Sequence, residues 1–181
     1  MKVKKLSSEY ISDHKYFTAR KDAYETPTGK IVSPYFVVEM PASACAVAVT
    51  TDNEILLVEQ YRYPIDRECL ELPGGFIDEN EAPENAIVRE LAEETGYSFE
   101  QVYYLGTTYA NPGVLNNTTH LFLATGGKKT GEQSLDPNEE IRIHIKPVAE
   151  VKQMVKSGKI KQSMHEACIR RAFEHSAMSG F

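Results

Sequence analysis

Residues 74–97 read GGFIDENEAPENAIVRELAEETGY, a glycine pair followed by a proline and a run of regularly spaced acids. The stretch from Pro83 to Thr95 has the marks of a helix, with Pro83 suited to the first turn and Gly96 to the stop. Placed on a helical wheel, Ile87, Val88, Leu91, Ala92 and Thr95 are expected to share the arc that packs on a sheet. Glu90, Glu93 and Glu94 are expected roughly opposite. These three acids stand at i, i+3 and i+4, where like charges repel and weaken an isolated helix. Hard oxygen ligands in such a cluster suit Mg²⁺, which relieves the repulsion.

Outward from this helix the chain alternates strand and turn signals. HKYFTARKDAYE and KIVSPYFVVEM flank Thr26-Pro27-Thr28-Gly29, which predicts a hairpin. ACAVAVT and EILLVEQYRY flank Asp52-Asn53 and are nearly continuous apolar runs, as expected of strands covered on both faces. CLELP predicts a short strand leading into the Gly-Gly turn. QVYYLGTTYA, THLFLAT and EEIRIHIKPV predict three more strands, and PVAEVKQMVKSG and IKQSMHEACIRRAFEHS predict two closing helices. Mixed strands with helices packed outside give an α/β/α sandwich. No linker or repeat divides the chain, so its 181 residues are expected to form one domain.

Composition narrows the classes. A net charge of −6 argues against a general nucleic-acid binder, though not against a small phosphorylated substrate held by local arginines and metal. Cys45, Cys69 and Cys168 lie in apolar stretches and are expected to be reduced, buried thiols. The N-terminus is polar and charged, and no window approaches ~18 apolar residues. A soluble cytoplasmic protein with no membrane association is the expectation.

Gly75, five residues, Glu81, seven residues, then Arg89-Glu90-Leu91-Ala92-Glu93-Glu94-Thr95-Gly96-Tyr97 resembles the Nudix box, G-x5-E-x7-R-E-U-x-E-E-x-G-U, with U a bulky aliphatic residue. Only Tyr97, in the last aliphatic slot, departs from it. At average residue usage the pattern arises by chance roughly once in ten million such chains, so it outweighs every other signal here. The resemblance implies a Nudix α/β/α sandwich in which the Gly74 carbonyl, Glu90 and Glu94 ligate Mg²⁺, with Mn²⁺ able to substitute. Glu93 would be a further ligand or orient water. Arg89 would pair with Glu93 or Glu81 to orient carboxylates, and Glu81 would share in that orientation or serve as a plain first-turn acid.

Features outside the box are similar to the ADP-ribose pyrophosphatase and nucleotide-sugar hydrolase branch. Pro112 lies sixteen residues after Gly96, where that branch carries a marker proline, although Asn111-Pro112-Gly113 is also a strong turn in its own right. LLVEQYRYP and ELPGGFIDENE match the same branch. By that likeness Arg62 clamps the diphosphate and Glu71 lines the site, against the plainer readings of a strand-end charge and a strand-edge acid. SLDPNEEIRIHIKPV resembles the loop that delivers a catalytic carboxylate. Glu139, Glu140 or, failing those, Glu93 would be the general base, since Pro137 falls where some relatives carry a glutamate. Tyr35 and Phe36 either stack on adenine or fill the core. Residues 1–40 would form an antiparallel β extension that joins a homodimer, with 41–181 as the catalytic core. The implied reaction is Mg²⁺-dependent hydrolysis of ADP-ribose to AMP and ribose 5-phosphate. GDP-mannose or another nucleotide sugar is the alternative substrate, and triphosphate cleansing or non-catalytic nucleotide sensing ranks below both.

Overall fold

A computed structural model describes residues 2–14 and 17–179. The chain forms two compact units, one of residues 1–41 with 109–118 and the other of residues 42–108 with 119–181.

The first unit is an antiparallel meander of β1 (Lys4–His14), β2 (Phe17–Glu25) and β3 (Ile31–Glu39) in the order β1-β2-β3. Its hairpin turns where Thr26-Pro27-Thr28-Gly29 predicted. Gly29 takes the left-handed conformation and Thr26 N–H donates to the Lys30 carbonyl at 2.9 Å. β1 had no separate strand signal in the sequence, because its KKLSSEYISDH carries few apolar residues. Residues 109–118 complete the unit. Val38 bridges Leu115, and the turn at Asn111-Pro112-Gly113 closes with Leu115 N–H donating to the Asn111 carbonyl at 2.8 Å.

The second unit is a mixed sheet between helices. In chain order its elements are β4 (Ser43–Thr50), β5 (Glu54–Arg62), β6 (Arg67–Glu71), β7 (Gly74–Phe76), α1 (Pro83–Thr95) and β8 (Tyr97–Ser98). They continue with β9 (Gln101–Thr108), β10 (Thr119–Lys129), β11 (Arg142–Pro147), α2 (Val148–Lys156) and α3 (Ser163–Glu174). The main strand order is β11-β5-β4-β10-β8, with β6 on β5, β7 on β4 and β9 on β10. Only β4 and β10, of the described pairs, run parallel.

The period-2 alternation of β4 assigns its neighbours. Ala44, Ala46 and Ala48 face α1 in a cluster with Leu56, Ile87, Leu91, Phe122 and Ala124. Cys45, Val47 and Val49 face the other way, joining Ile55, Leu57, Leu121 and Leu123 under α2 and α3 through Val151, Cys168, Ile169 and Ala172. Alanines on one face let α1 lie close to the sheet. All three cysteines are free and buried, as expected.

The predicted packing face of α1 is corrected. Ala86, Ile87, Leu91, Glu94 and Thr95 are the buried positions, while Val88 and Ala92 are exposed. The reason is geometric: Glu94 lies seven residues beyond Ile87, two turns on, and so returns to nearly the same direction. A glutamate therefore sits within the apolar arc of the helix. Among the described residues no helix is long and apolar enough to cross a membrane.

Candidate active site

The site in the second unit is built on the turn from β6 to β7. Pro73 offers no N–H, and the turn is fixed by three backbone groups around it. Leu72 N–H donates to His165 Nδ1 at 3.1 Å, the Pro73 carbonyl accepts from Ala46 N–H at 3.1 Å, and Gly74 N–H donates to Glu94 Oε2 at 2.8 Å. Gly74 has φ +147°, and a Cβ there would collide with the Ala44 carbonyl. Gly75 leaves room for Glu90, whose carboxylate lies where a Cβ would project, its Cδ only 2.6 Å from that point. The glycine pair thus lets two carboxylates of α1 close on the backbone.

Charge is distributed unevenly around this turn. Arg89 is the hub of one half. Its Nε and Nη2 reach the two oxygens of Glu81 at 3.0 and 2.9 Å, and Nη1 reaches Glu90 at 2.9 Å and Glu93 at 3.0 Å. Nη2 also donates to the Phe76 carbonyl at 3.1 Å. Both pairings expected of Arg89 occur at once, and Glu81 also accepts from Asp78 N–H at 3.0 Å. Arg89 holds the Glu81 carboxyl below the usual range, helped by that N–H, and Glu81 in turn keeps Arg89 firmly protonated.

Glu94 forms the other half. It is 4% exposed, and among the described residues its carboxylate accepts one hydrogen bond, from Gly74 N–H. Burial pushes its pKa up to about 8, with the charges of Glu90 and Glu139 adding to the rise and the Gly74 N–H and Arg62 opposing it. Burial also raises Glu90, despite its contact with Arg89. Glu90, Glu93 and Glu94 do not converge on one point in this arrangement, because Arg89 holds two of them and Gly74 the third.

Arg62, at the end of β5, grips Glu71 through Nε at 3.1 Å and Nη2 at 2.5 Å. Glu71 is 2% exposed, whereas nearly half of the Arg62 side chain is exposed. Glu71 therefore orients Arg62 from beneath, and its contact raises the pKa of the guanidinium. Among the described residues these two contacts leave the Nη1 of Arg62 without a hydrogen bond.

Glu139 and Glu140 lie in a turn before β11, where Asp136 N–H donates to Glu139 Oε2 at 3.1 Å and Glu139 N–H to the Asp136 carbonyl at 2.9 Å. Glu139 is among the charges that raise both Glu90 and Glu94. Glu140 instead lines a shallow cavity of about 300 Å³ with Tyr61, Glu68, Leu135, Ile141 and Arg142. The loop is tied to the end of α1. Gln133 Nε2 donates to the Glu94 and Ile141 carbonyls at 2.8 and 3.2 Å, and Ser134 N–H donates to the Glu93 carbonyl at 2.8 Å.

Tyr35, Phe36 and Pro112 belong to the first unit. Tyr35 donates its hydroxyl to the Gly113 carbonyl at 2.7 Å, which brings it to the turn containing Pro112. Phe36 is 55% exposed, so a core role for it within this chain is corrected.

The sequence profile of the NUDIX domain matches residues 39–168. The chain belongs to the Nudix family. A second profile, the nucleoside diphosphate sugar hydrolase N-terminal domain, matches residues 3–38. The chain is 32% identical over 161 residues to a methanol dehydrogenase activator of Bacillus methanolicus, covering 88% of this chain and 86% of the relative. It is 29% identical over 161 residues to an ADP-ribose pyrophosphatase of Bacillus subtilis (strain 168), with the same shares covered. Among solved structures it resembles an ADP compounds hydrolase at a TM-score of 0.84 and 19% identity, covering 96% of this chain and 94% of the other. This last likeness is one of fold, and it agrees with the Nudix sandwich expected from the box.

Two residues of this Nudix site carried no sequence signal. His165 is a lone histidine on an amphipathic helix, and Gln133 is a polar residue in a polar loop. Only the folded arrangement brings His165 to the turn ahead of the Nudix helix. There burial lowers its pKa to about 4 and keeps the imidazole neutral.

Proposed function

We propose that this Nudix protein hydrolyses the pyrophosphate of ADP-ribose to AMP and ribose 5-phosphate in a Mg²⁺-dependent reaction, with Mn²⁺ able to replace Mg²⁺. One observation carries the metal reading: a buried Glu94 without a cationic hydrogen-bond partner among the described residues, beside Glu90 and against a glycine turn. Two desolvated carboxylates and a backbone turn are a donor set suited to a hard divalent ion. Glu90, Glu94 and the Gly74 carbonyl would hold it, with Glu93 completing the set or orienting water. Bound metal supplies Lewis-acid polarisation of the diphosphate.

The chain's own residues do the rest. Arg62, held by Glu71, presents its Nη1 edge to the phosphate that does not react and offsets charge developing in the transition state. Glu139 takes the proton of the attacking water, a choice over Glu140 supported by its electrostatic reach to Glu90 and Glu94. Arg89 keeps Glu90 and Glu93 in place. Tyr35, Phe36 and the Pro112 turn offer an aromatic face for the adenine. The N-terminal strands, residues 1–40, join a homodimer, and the protein works in the cytoplasm on a small nucleotide sugar, away from nucleic acid and membrane.

A panel of ADP-ribose, GDP-mannose, other nucleotide sugars and nucleoside triphosphates, with the nucleotide products separated and quantified by chromatography, tests this reading. Cleavage of ADP-ribose should exceed that of every other compound and stop on removal of Mg²⁺. Faster cleavage of GDP-mannose would move the assignment to that substrate, and cleavage unaffected by chelation would overturn the metal.

A further inference from the structure

We propose that His165 is a positioning residue for the β6–β7 turn that carries the Gly74 metal ligand, acting through the Leu72 N–H. This rests on the metal-dependent reading above and adds a residue from the layer of the fold that the reading leaves unused. α3 packs on the face of the sheet away from α1, with Cys168, Ile169 and Ala172 among Cys45 and Leu121. His165 is the residue of α3 that reaches the β6–β7 turn by a side-chain hydrogen bond.

The geometry gives that bond leverage. Pro73 has no N–H, so Leu72 and Gly74 supply the only backbone donors of the three-residue turn. Each is received by a buried side chain from a different helix, Leu72 by His165 and Gly74 by Glu94. The Pro73 carbonyl is held from the sheet by Ala46 N–H. These three points fix the peptide planes that lead to the Gly74 carbonyl. The residue before Leu72 is Glu71, whose buried carboxylate holds Arg62 with two hydrogen bonds. Losing the acceptor at residue 165 leaves Leu72 N–H buried and unmatched. The turn must then shift to find a partner, and the metal ligand and the phosphate clamp lose alignment together.

Side chains of similar size but different acceptor position separate this role from simple packing. In His165→Asn the amide oxygen takes the place of Nδ1. In His165→Gln the polar end falls near the Nε2 position instead, and His165→Leu has no acceptor. Mn²⁺ affinity read by electron paramagnetic resonance should fall roughly ten- to a hundredfold in His165→Leu and His165→Gln but recover to within about threefold of wild type in His165→Asn. With saturating metal, kcat/KM for ADP-ribose should follow the same order.

If His165→Leu does not fold, the Asn and Gln variants decide the matter. Equal Mn²⁺ affinity in every folded variant, with wild type binding the ion, overturns the role of His165 alone. A wild-type chain that takes no Mn²⁺ overturns the metal reading itself. A chain that binds Mn²⁺ but cleaves no compound of the panel overturns the substrate, and the order of affinities still judges His165.

Discussion

The two halves of the acidic helix differ in how their charge is balanced. Around Arg89, three glutamates and a carbonyl share one guanidinium, and every strong charge has an opposite neighbour. One turn away, Glu94 is buried in the apolar arc with a single backbone N–H and a pKa near 8. The paired half gives shape. The unpaired half keeps a cost within the fold, and such costs gather where ligands bind.

The largest break in this contrast comes from neutralising Glu94. Glu94→Gln retains an oxygen for Gly74 N–H but removes the charge, so turnover at saturating Mg²⁺ should fall by roughly a thousandfold or more while the protein stays folded. Activity within tenfold of wild type would remove Glu94 from the metal set. Next comes the base. Glu139→Gln should lower kcat by about a hundredfold or more, and Glu140→Gln by less than about threefold. The reverse order would move the base to Glu140, and two harmless changes would return it to Glu93.

The paired half should respond less. Arg89→Lys keeps the charge but loses the fork that spans Glu81, Glu90 and Glu93, so kcat should drop about tenfold. An unchanged rate would show that the fork geometry is dispensable.

Stability against pH sharpens the comparison further. The native pKa of Glu94 is about 8 against 4.5 for an unperturbed glutamate. Between those values the native state holds a proton that the unfolded chain has released. The Glu94 contribution to metal-free stability should therefore fall as pH rises from 4.5 to 8, by a total on the order of a few kcal/mol. Glu94→Gln should lack that slope, and chemical denaturation at a series of pH values reads it directly. His165 opposes this slope over the lower part of that range. Its native pKa of about 4 lies below the ordinary 6.5, so the stability it contributes is present above 6.5 and lost as pH falls toward 4. The smallest effect belongs to the other unit. Tyr35→Phe removes one hydrogen bond to the Gly113 carbonyl and should cost about 1 kcal/mol in thermal or chemical unfolding.

The sequence was most legible where local chemistry and periodicity agreed. Pro83 and Gly96 bound the helix at its observed ends, the Thr26–Gly29 hairpin turned in place, and the Ala and Val faces of β4 showed a strand covered on both sides. Box spacing identified the acids, but it did not show which of them is buried. Reading Glu94 as a surface acid followed residue polarity, whereas the i, i+7 relation to Ile87 sets its direction. Glu71 was visible as an acid near the site, yet its grip on Arg62 depends on two neighbouring strands meeting in register. His165 and Gln133 act across separations of 93 and 39 residues, and nothing local marks either one.

Gln133 has a further consequence. One side-chain amide joins the carbonyl of Glu94 to that of Ile141, and Ser134 N–H holds the Glu93 carbonyl beside it, so both ends of the acidic loop are fastened near the end of the helix. Between these ties, added loop length costs little in closure entropy and leaves the end of the helix held.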